Sequence, residues 1–212
     1  MELIGWIIAF IVAITFHEAA HAWMAVRLGD PTAKLMGRLS LNPIVHYDPV
    51  GTTMLLVLVA LRALGAPVMP FGWAKPVMFN PNNLENPKRD SALISLAGPA
   101  SNLLVALIIS IILRFLIFLP SLSLISFVAY PIILLNVSLA VFNLIPIHPL
   151  DGGKIFVGLL PEKDAREADM FLHRYGMIIL FFLIFPSIRG TSPLFAFINP
   201  IINFFLKVFI PN

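Results

Sequence analysis

Two histidines and a glutamate occur in the segment HEAAH, residues 17–21, inside an otherwise apolar stretch at 3–26. In an α-helix His17 and His21 are one turn apart on the same face, so their ring nitrogens can converge on one metal ion. Glu18 points about 100° around the helix from His17, which lets it reach a water molecule beside the metal without being a ligand. This spacing is typical of zinc peptidases.

The alternative for these histidines is structural, with each ring hydrogen-bonded to a neighbouring helix. An ionisable residue at the centre of a spanning helix costs about 2.5–3.5 kcal/mol on insertion scales. Three such groups within five positions therefore need compensation, and the spacing favours a metal over separate hydrogen bonds. The chain has no cysteine, so a metal must be held by His, Asp or Glu.

A catalytic zinc site typically has three protein ligands and one open position, so a third ligand must come from elsewhere in the chain. The candidate is Asp151, in the segment at 142–156, which follows the apolar run at 124–147. Taken alone, an aspartate before two glycines is an ordinary cap or turn residue. His21 lies roughly 9 Å from the end of its span, at about 1.5 Å per residue, a depth that Asp151 can reach. His148 is a possible surrogate ligand or proton shuttle, and we expect it to be a bystander.

The composition identifies an integral membrane protein. The chain is 59% hydrophobic and 12% charged, with a mean hydropathy of +0.93, whereas soluble proteins carry about 25% charged residues. Its net charge is only +3, and the basic residues are spread along the loops, so nucleic acid is not expected as a partner. The absence of repeats and of a polar linker predicts one membrane domain over 1–212.

Six long apolar runs suggest the membrane spans, each of which needs about 20 residues in a helix. They lie at 3–26, 51–70, 92–119, 124–147, 171–188 and 194–210. Because 51–70 contains Arg62, a glycine and prolines, we expect it to be re-entrant or short. The predicted fold is therefore an all-α polytopic membrane protein. It has five full transmembrane helices, this sixth segment, and a small extended β-like element at 70–81, an edge to which a substrate strand could add.

The positions of the basic residues indicate the orientation, because cytoplasmic loops carry an excess of Lys and Arg. If 51–70 enters and leaves by the same face, the basic loops 27–50, 69–92 and 148–174 lie on one side, and the other side keeps Arg189. We therefore expect a multi-pass protein of the cell membrane with its active site toward the cytoplasm.

The chain resembles the site-2 proteases, a family of intramembrane zinc metalloproteases. Three motifs carry the resemblance and occur in the family's order: HEAAH at 17–21, LAGPASN at 96–102 and NLIPIHPLDGG at 143–153. The chain has no room for the PDZ or CBS domain of larger members. Small residues at 98–101 are expected to pack closely against the HEAAH helix.

The resemblance implies that His17, His21 and Asp151 bind one Zn²⁺ ion and that Glu18 is the catalytic base. It also places Asn143 near the site, where its amide could stabilise the oxyanion. The alternative for Asn143 is a polar contact between helices, and both remain open.

The function implied by the resemblance is zinc-dependent hydrolysis of peptide bonds in or near transmembrane segments of other membrane proteins. The expected partners are those substrates and the lipid bilayer. The alternative is a non-proteolytic zinc-binding membrane scaffold or a metal carrier. Transport would favour several ligand clusters across the bilayer, and a pseudoprotease would typically lack Glu18.

Overall fold

The computed structural model describes residues 2–63, 75–116, 123–185 and 192–210, and in these ranges the chain forms eight α-helices and two short 3₁₀-helices. The α-helices are α1 (Glu2–Arg27), α2 (Thr32–Leu35), α3 (Pro49–Ala63), α4 (Pro87–Leu116), α5 (Ser123–Asn143), α6 (Asp151–Leu159), α7 (Glu162–Ile184) and α8 (Pro193–Phe209). The 3₁₀-helices are Pro43–His46 and Pro81–Asn83.

Helices α1, α4 and α5 pack against one another and form the centre of the molecule. Their seam is built from small and β-branched residues, with Ala9 of α1 against Val105 of α4 and Ile132 of α5. An alanine at such a seam lets two helix backbones approach closely. Helix α6 packs on α4, and α8 packs on α5 over a larger apolar cluster that includes Val137 and Ile198.

The outer surfaces of these helices are apolar. Helix α1 exposes Ile4 and Ile11, and α8 exposes Phe197 and Phe204, alongside many other large apolar side chains. Exposed large apolar side chains in this number suit contact with lipid.

The prediction of five full transmembrane helices is wrong. Within the described ranges, only Ile4–Arg27 and Pro87–Phe115 are long and apolar enough to span a bilayer. Two further apolar helical stretches are shorter: Phe127–Asn143, which is part of α5, and Pro193–Phe209, which is α8. Seventeen residues, the length of α8, extend about 25 Å, less than the hydrocarbon core of about 30 Å. The run at 124–147 is longer than its helix because the apolar residues 144–147 form a turn after α5.

The structure describes the segment at 51–70 only in part. Helix α3 ends at Ala63, and 64–70 lies outside the described residues. The prediction of a re-entrant segment there stays a prediction.

The expected β-like element at 70–81 is also corrected. No strand occurs in the ranges that the structure describes, where residues 75–80 are irregular, and 70–74 lie outside them. The backbone N–H groups of this segment donate to unrelated partners instead of to a neighbouring strand. Lys75 donates to the His46 carbonyl, Val77 to the Glu18 carboxylate, and Asn80 to the Asp30 carboxylate.

Candidate active site

Helix α1 and the first turn of α6 bring three polar side chains together. The Nε2 atoms of His17 and His21 are 3.0 Å apart, and Asp151 Oδ2 lies 3.2 Å and 3.3 Å from them respectively. Both histidines are buried. The three residues expected from the sequence to bind metal are therefore adjacent, and each offers one metal-ligand atom within 4.8 Å of the other two.

The spacing of these three atoms fits a shared zinc ion. Nitrogen and oxygen ligands lie about 2.0–2.2 Å from zinc, so two ligands at a tetrahedral angle are about 3.3–3.5 Å apart. The observed distances of 3.0–3.3 Å come within a few tenths of an ångström of that value.

The hydrogen bonds of the other ring nitrogens determine which nitrogen carries the proton. His21 Nδ1 lies 2.7 Å from the Ile94 carbonyl oxygen, and His17 Nδ1 lies 2.7 Å from Asn102 Oδ1. A carbonyl oxygen only accepts, so each Nδ1 donates its N–H, and each neutral ring presents an Nε2 lone pair.

The orientation of the Asn102 amide is itself fixed by a buried chain of hydrogen bonds. Asn102 Nδ2 donates to the Ala13 carbonyl and to Asn136 Oδ1, each at 2.9 Å, and Asn136 Nδ2 donates to the Ile132 carbonyl. Both asparagines are fully buried. This series of hydrogen bonds ends on backbone carbonyls, which only accept. Asn102 must therefore turn its side-chain oxygen toward His17.

Sequence reasoning missed the part that these asparagines play. Asn102 entered only as the last residue of a motif, and Asn136 was not singled out. Their signal was available, because an asparagine within a buried apolar helix has to find a hydrogen-bond partner.

The three converging ligand atoms form a site suited to a cation. Two imidazole lone pairs and a carboxylate oxygen face one another, an arrangement that is repulsive unless a positive charge lies between them. Burial raises the pKa of Asp151, but positive charge and hydrogen bonds at His21 and His17 outweigh it and hold that pKa below its usual value, which is the effect that a cation between these atoms would also have. The carboxyl group is therefore ionised at neutral pH, as a metal ligand must be.

Two glycines let the parts of the site approach one another. A Cβ on Gly98 of α4 would overlap the rings of His21 and His17, so α4 lies directly against both imidazoles. This confirms the expected close packing at 98–101. A Cβ on Gly152 would overlap the Ile145 and Leu144 carbonyls, so α6 begins tightly against the preceding turn.

Glu18 lies beside the three candidate ligands without joining them. It is half-buried on α1, and its Oε2 accepts the backbone N–H of Val77 at 3.0 Å. That bond ties the glutamate to the irregular segment at 75–80 through one of its two carboxylate oxygens.

Asn143 and His148, the two other candidate residues, form hydrogen bonds with residues outside the group His17, His21 and Asp151. Asn143 Nδ2 donates to the Leu139 carbonyl one turn earlier on α5, at 3.0 Å. Its role at an oxyanion stays a prediction. His148 Nε2 lies 3.1 Å from Asp169 Oδ1 on α7.

Comparisons with known proteins agree on one family. The family model described as Peptidase family M50 matches residues 5–123 and 118–185. YwhC of Bacillus subtilis, provisionally named a zinc metalloprotease, is 37% identical over 210 residues, covering 96% of this chain and 90% of the relative. Rip2 of Mycolicibacterium smegmatis, also provisionally named a zinc metalloprotease, is 30% identical over 202 residues, which cover 89% of this chain and 68% of the relative.

A third relative is less similar to this chain. The zinc metalloprotease MJ0392 of Methanocaldococcus jannaschii is 24% identical over 167 residues, which cover 76% of this chain and 36% of that protein. No solved structure gives a significant match.

Proposed function

Because the chain belongs to peptidase family M50, the site-2 proteases, and is a zinc metalloprotease of the membrane, we propose that it cuts transmembrane segments of other proteins. One observation carries this proposal. His17 and His21 lie on α1, a helix that can span a bilayer, and His21 is six residues before its end at Arg27. Six residues of helix span about 9 Å, so the substrate bond must enter the depth of the membrane to be cut.

We propose that His17, His21 and Asp151 hold a single zinc ion through the three converging atoms. When bound there, zinc would act as a Lewis acid that polarises the scissile carbonyl and lowers the pKa of a water molecule. The Nδ1–H bonds to Ile94 and Asn102 orient both imidazoles so that each Nε2 faces the proposed ion.

Glu18 is the proposed general base. It takes a proton as the water oxygen attacks the carbonyl carbon, and it delivers that proton to the amine when the C–N bond breaks. The products are one new carboxylate end and one new amine end. The Val77 N–H bond restrains one oxygen of Glu18, and the other oxygen is the one proposed to receive the proton.

The site is proposed to face the cytoplasm. The three basic loops at 27–50, 69–92 and 148–174 contact one another through the residues described in them. Asn83 donates to Asp30 at 2.7 Å, and Lys88 donates to the Leu160 carbonyl at 2.8 Å. Loops joined in this way lie at one end of the molecule, and their Lys and Arg content favours the cytoplasmic side.

The substrate proposal is tested with the full chain reconstituted in vesicles together with a single-span substrate. We expect mass spectrometry to place the cut inside the apolar segment or at its cytoplasmic edge. Glycine at the cut site should speed cleavage, because opening a helix there costs about 1 kcal/mol less than at alanine. Cleavage restricted to water-exposed loops, with no dependence on the glycine, would contradict the proposal.

A further inference from the structure

A second group of possible metal ligands lies beside the active site. His148 Nε2 is 3.1 Å and His173 Nδ1 is 3.3 Å from the same atom, Asp169 Oδ1. One ligand atom of each residue lies within 4.8 Å of the others. His148 is buried, whereas Asp169 and His173 have side chains that are 45% and 65% exposed.

The backbone holds these residues together. Asp169 and His173 are one turn apart on α7 and therefore share a face. A Cβ on Gly176 would overlap the His148 carbonyl oxygen, so α7 lies directly against the loop that carries His148. A Cβ on Gly153 of α6 would come within 2.8 Å of the ring nitrogen His148 Nδ1, so α6 restricts the ring from the other side.

We propose that His148, Asp169 and His173 form a second binding site for a divalent transition-metal ion such as Zn²⁺, separate from His17, His21 and Asp151. Imidazole nitrogen and carboxylate oxygen are suitable ligands for such an ion. Distances of 3.1 Å and 3.3 Å to a common oxygen are close to the spacing of two zinc ligands. This site does not depend on the proposed proteolysis.

A cavity beside the cluster leaves room for the remaining ligands of an ion. It has a volume of about 500 Å³ and is lined by Asp169 and His173 together with Phe79 and Lys154. Water molecules in this space can complete the coordination sphere, as they do in open zinc sites.

The electrostatics favour binding but limit its strength. Burial lowers the pKa of His148, partly opposed by its hydrogen bond with Asp169, so its imidazole is neutral at physiological pH. Three cationic side chains also line the cavity: Lys88, Lys154 and Arg166. Lys88 is paired with Glu162 at 2.9 Å, while the others repel a bound cation. We therefore expect an exchangeable ion, held more weakly than the one in the active site.

The competing explanation is a network of hydrogen bonds without metal. His173 Nδ1 also lies 3.0 Å from the Asp169 backbone carbonyl, one turn earlier on α7. In that case the ring donates to the carbonyl, and the cluster has no affinity for a cation. The two explanations differ in the number of metal ions that the protein binds.

The test is a titration of the purified full chain with Zn²⁺ alone, followed by elemental analysis and repeated with Co²⁺ by visible absorption. We expect two equivalents, the second removed by mild chelation. His173→Ala and Asp169→Asn should each weaken the second equivalent by more than about tenfold, since changes even beyond the ligands cost 10–100-fold. Both variants should keep the first equivalent, which also shows that they fold.

Two controls separate this site from the active site. Glu167→Gln, an exposed acid on the same helix, should keep both equivalents. Asp151→Ala should lose the tight ion and keep the weak one. The proposal is overturned if the wild type binds one equivalent in excess zinc. It is equally overturned if Asp169→Asn binds the second ion as tightly as the wild type does.

Discussion

The tautomers of His17 and His21 are decided by atoms that do not touch the proposed metal. Each Nδ1–H is donated to an oxygen that can only accept, one on the Ile94 backbone and one on the Asn102 side chain. Partners of this kind fix ring orientation and raise the basicity of the ligand. At the residue scale, the metal affinity should therefore depend on buried groups several ångströms away.

Replacing Asn102 with alanine tests this dependence. We expect Asn102→Ala to lower zinc affinity by about 10–100-fold, because His17 loses the acceptor that holds its ring. Competition with a chelator measures the change. Asn82→Ala, an exposed asparagine, is the matched control and should bind zinc normally. Unchanged zinc affinity in Asn102→Ala would show that the hydrogen bonds of Asn102 are only structural.

Gly98 provides a second test at the residue scale. A methyl group there would overlap both imidazole rings, so we expect Gly98→Ala to lower zinc occupancy and hydrolysis while the protein stays folded. Ala100→Val adds volume at an exposed position of the same helix and should leave both unchanged. Zinc content at fixed protein concentration is the measurement, and full occupancy in Gly98→Ala would contradict the packing argument.

At the scale of elements, the sequence predicted which polar residues lie together better than it predicted the ends of the helices. The HEAAH spacing and the aspartate after a later apolar run were sufficient to predict the three candidate ligands. The predicted span at 124–147 was too long, because residues 144–147 are apolar yet form the turn after α5. Hydropathy measures transfer from water, and it does not distinguish a buried turn from a helix.

The segment at 75–80 was misjudged for a related reason. The prolines that bound the predicted element at 70–81, together with Gly72 and Ala74, fit an edge strand. The N–H groups described at 75–80 are instead used by partners distant in sequence, including the Glu18 and Asp30 carboxylates. Those partners become neighbours only in the folded chain. The hydrogen bond between Asn102 of α4 and Asn136 of α5 was not predicted for the same reason, since the two residues are 34 positions apart in the sequence.

Asp30 holds the loop after α1 to the segment that precedes α4. Its carboxylate accepts the N–H and hydroxyl of Thr32, the N–H of Asn80 and the amide of Asn83. Burial alone would raise the pKa of Asp30, but these hydrogen bonds outweigh it and the net pKa is lowered. The ionised form therefore stabilises the folded protein.

This shift predicts a pH dependence of stability. Because the folded pKa is below the unfolded value of about 3.9, the contribution is present above that pH. It is lost as the pH falls through the folded pKa. We expect Asp30→Asn to be less stable than wild type at pH 7, with the difference shrinking below about pH 4. Thermal unfolding at a series of pH values measures it. A difference that does not change with pH would contradict this role.

At the scale of the whole molecule, the contacts among the basic loops predict a common side for them. The chain has no cysteine, so single cysteines report their position without background. Cysteines introduced at Ser40, Asn82 and Asp164 should all react with a membrane-impermeant reagent from the cytoplasmic side only. Labelling of any one of them from the outside would contradict the proposed orientation.

The central claim is that Glu18 moves protons at a zinc ion held by His17, His21 and Asp151. The most direct measurement is zinc content and substrate hydrolysis in the same preparations of Glu18→Gln, Asp151→Ala and the exposed control Glu85→Gln. We predict that Glu18→Gln keeps its tightly bound zinc and loses hydrolysis, that Asp151→Ala loses the tightly bound zinc, and that Glu85→Gln matches wild type. A Glu18→Gln protein that still hydrolyses substrate, or that loses its zinc, would contradict the claim.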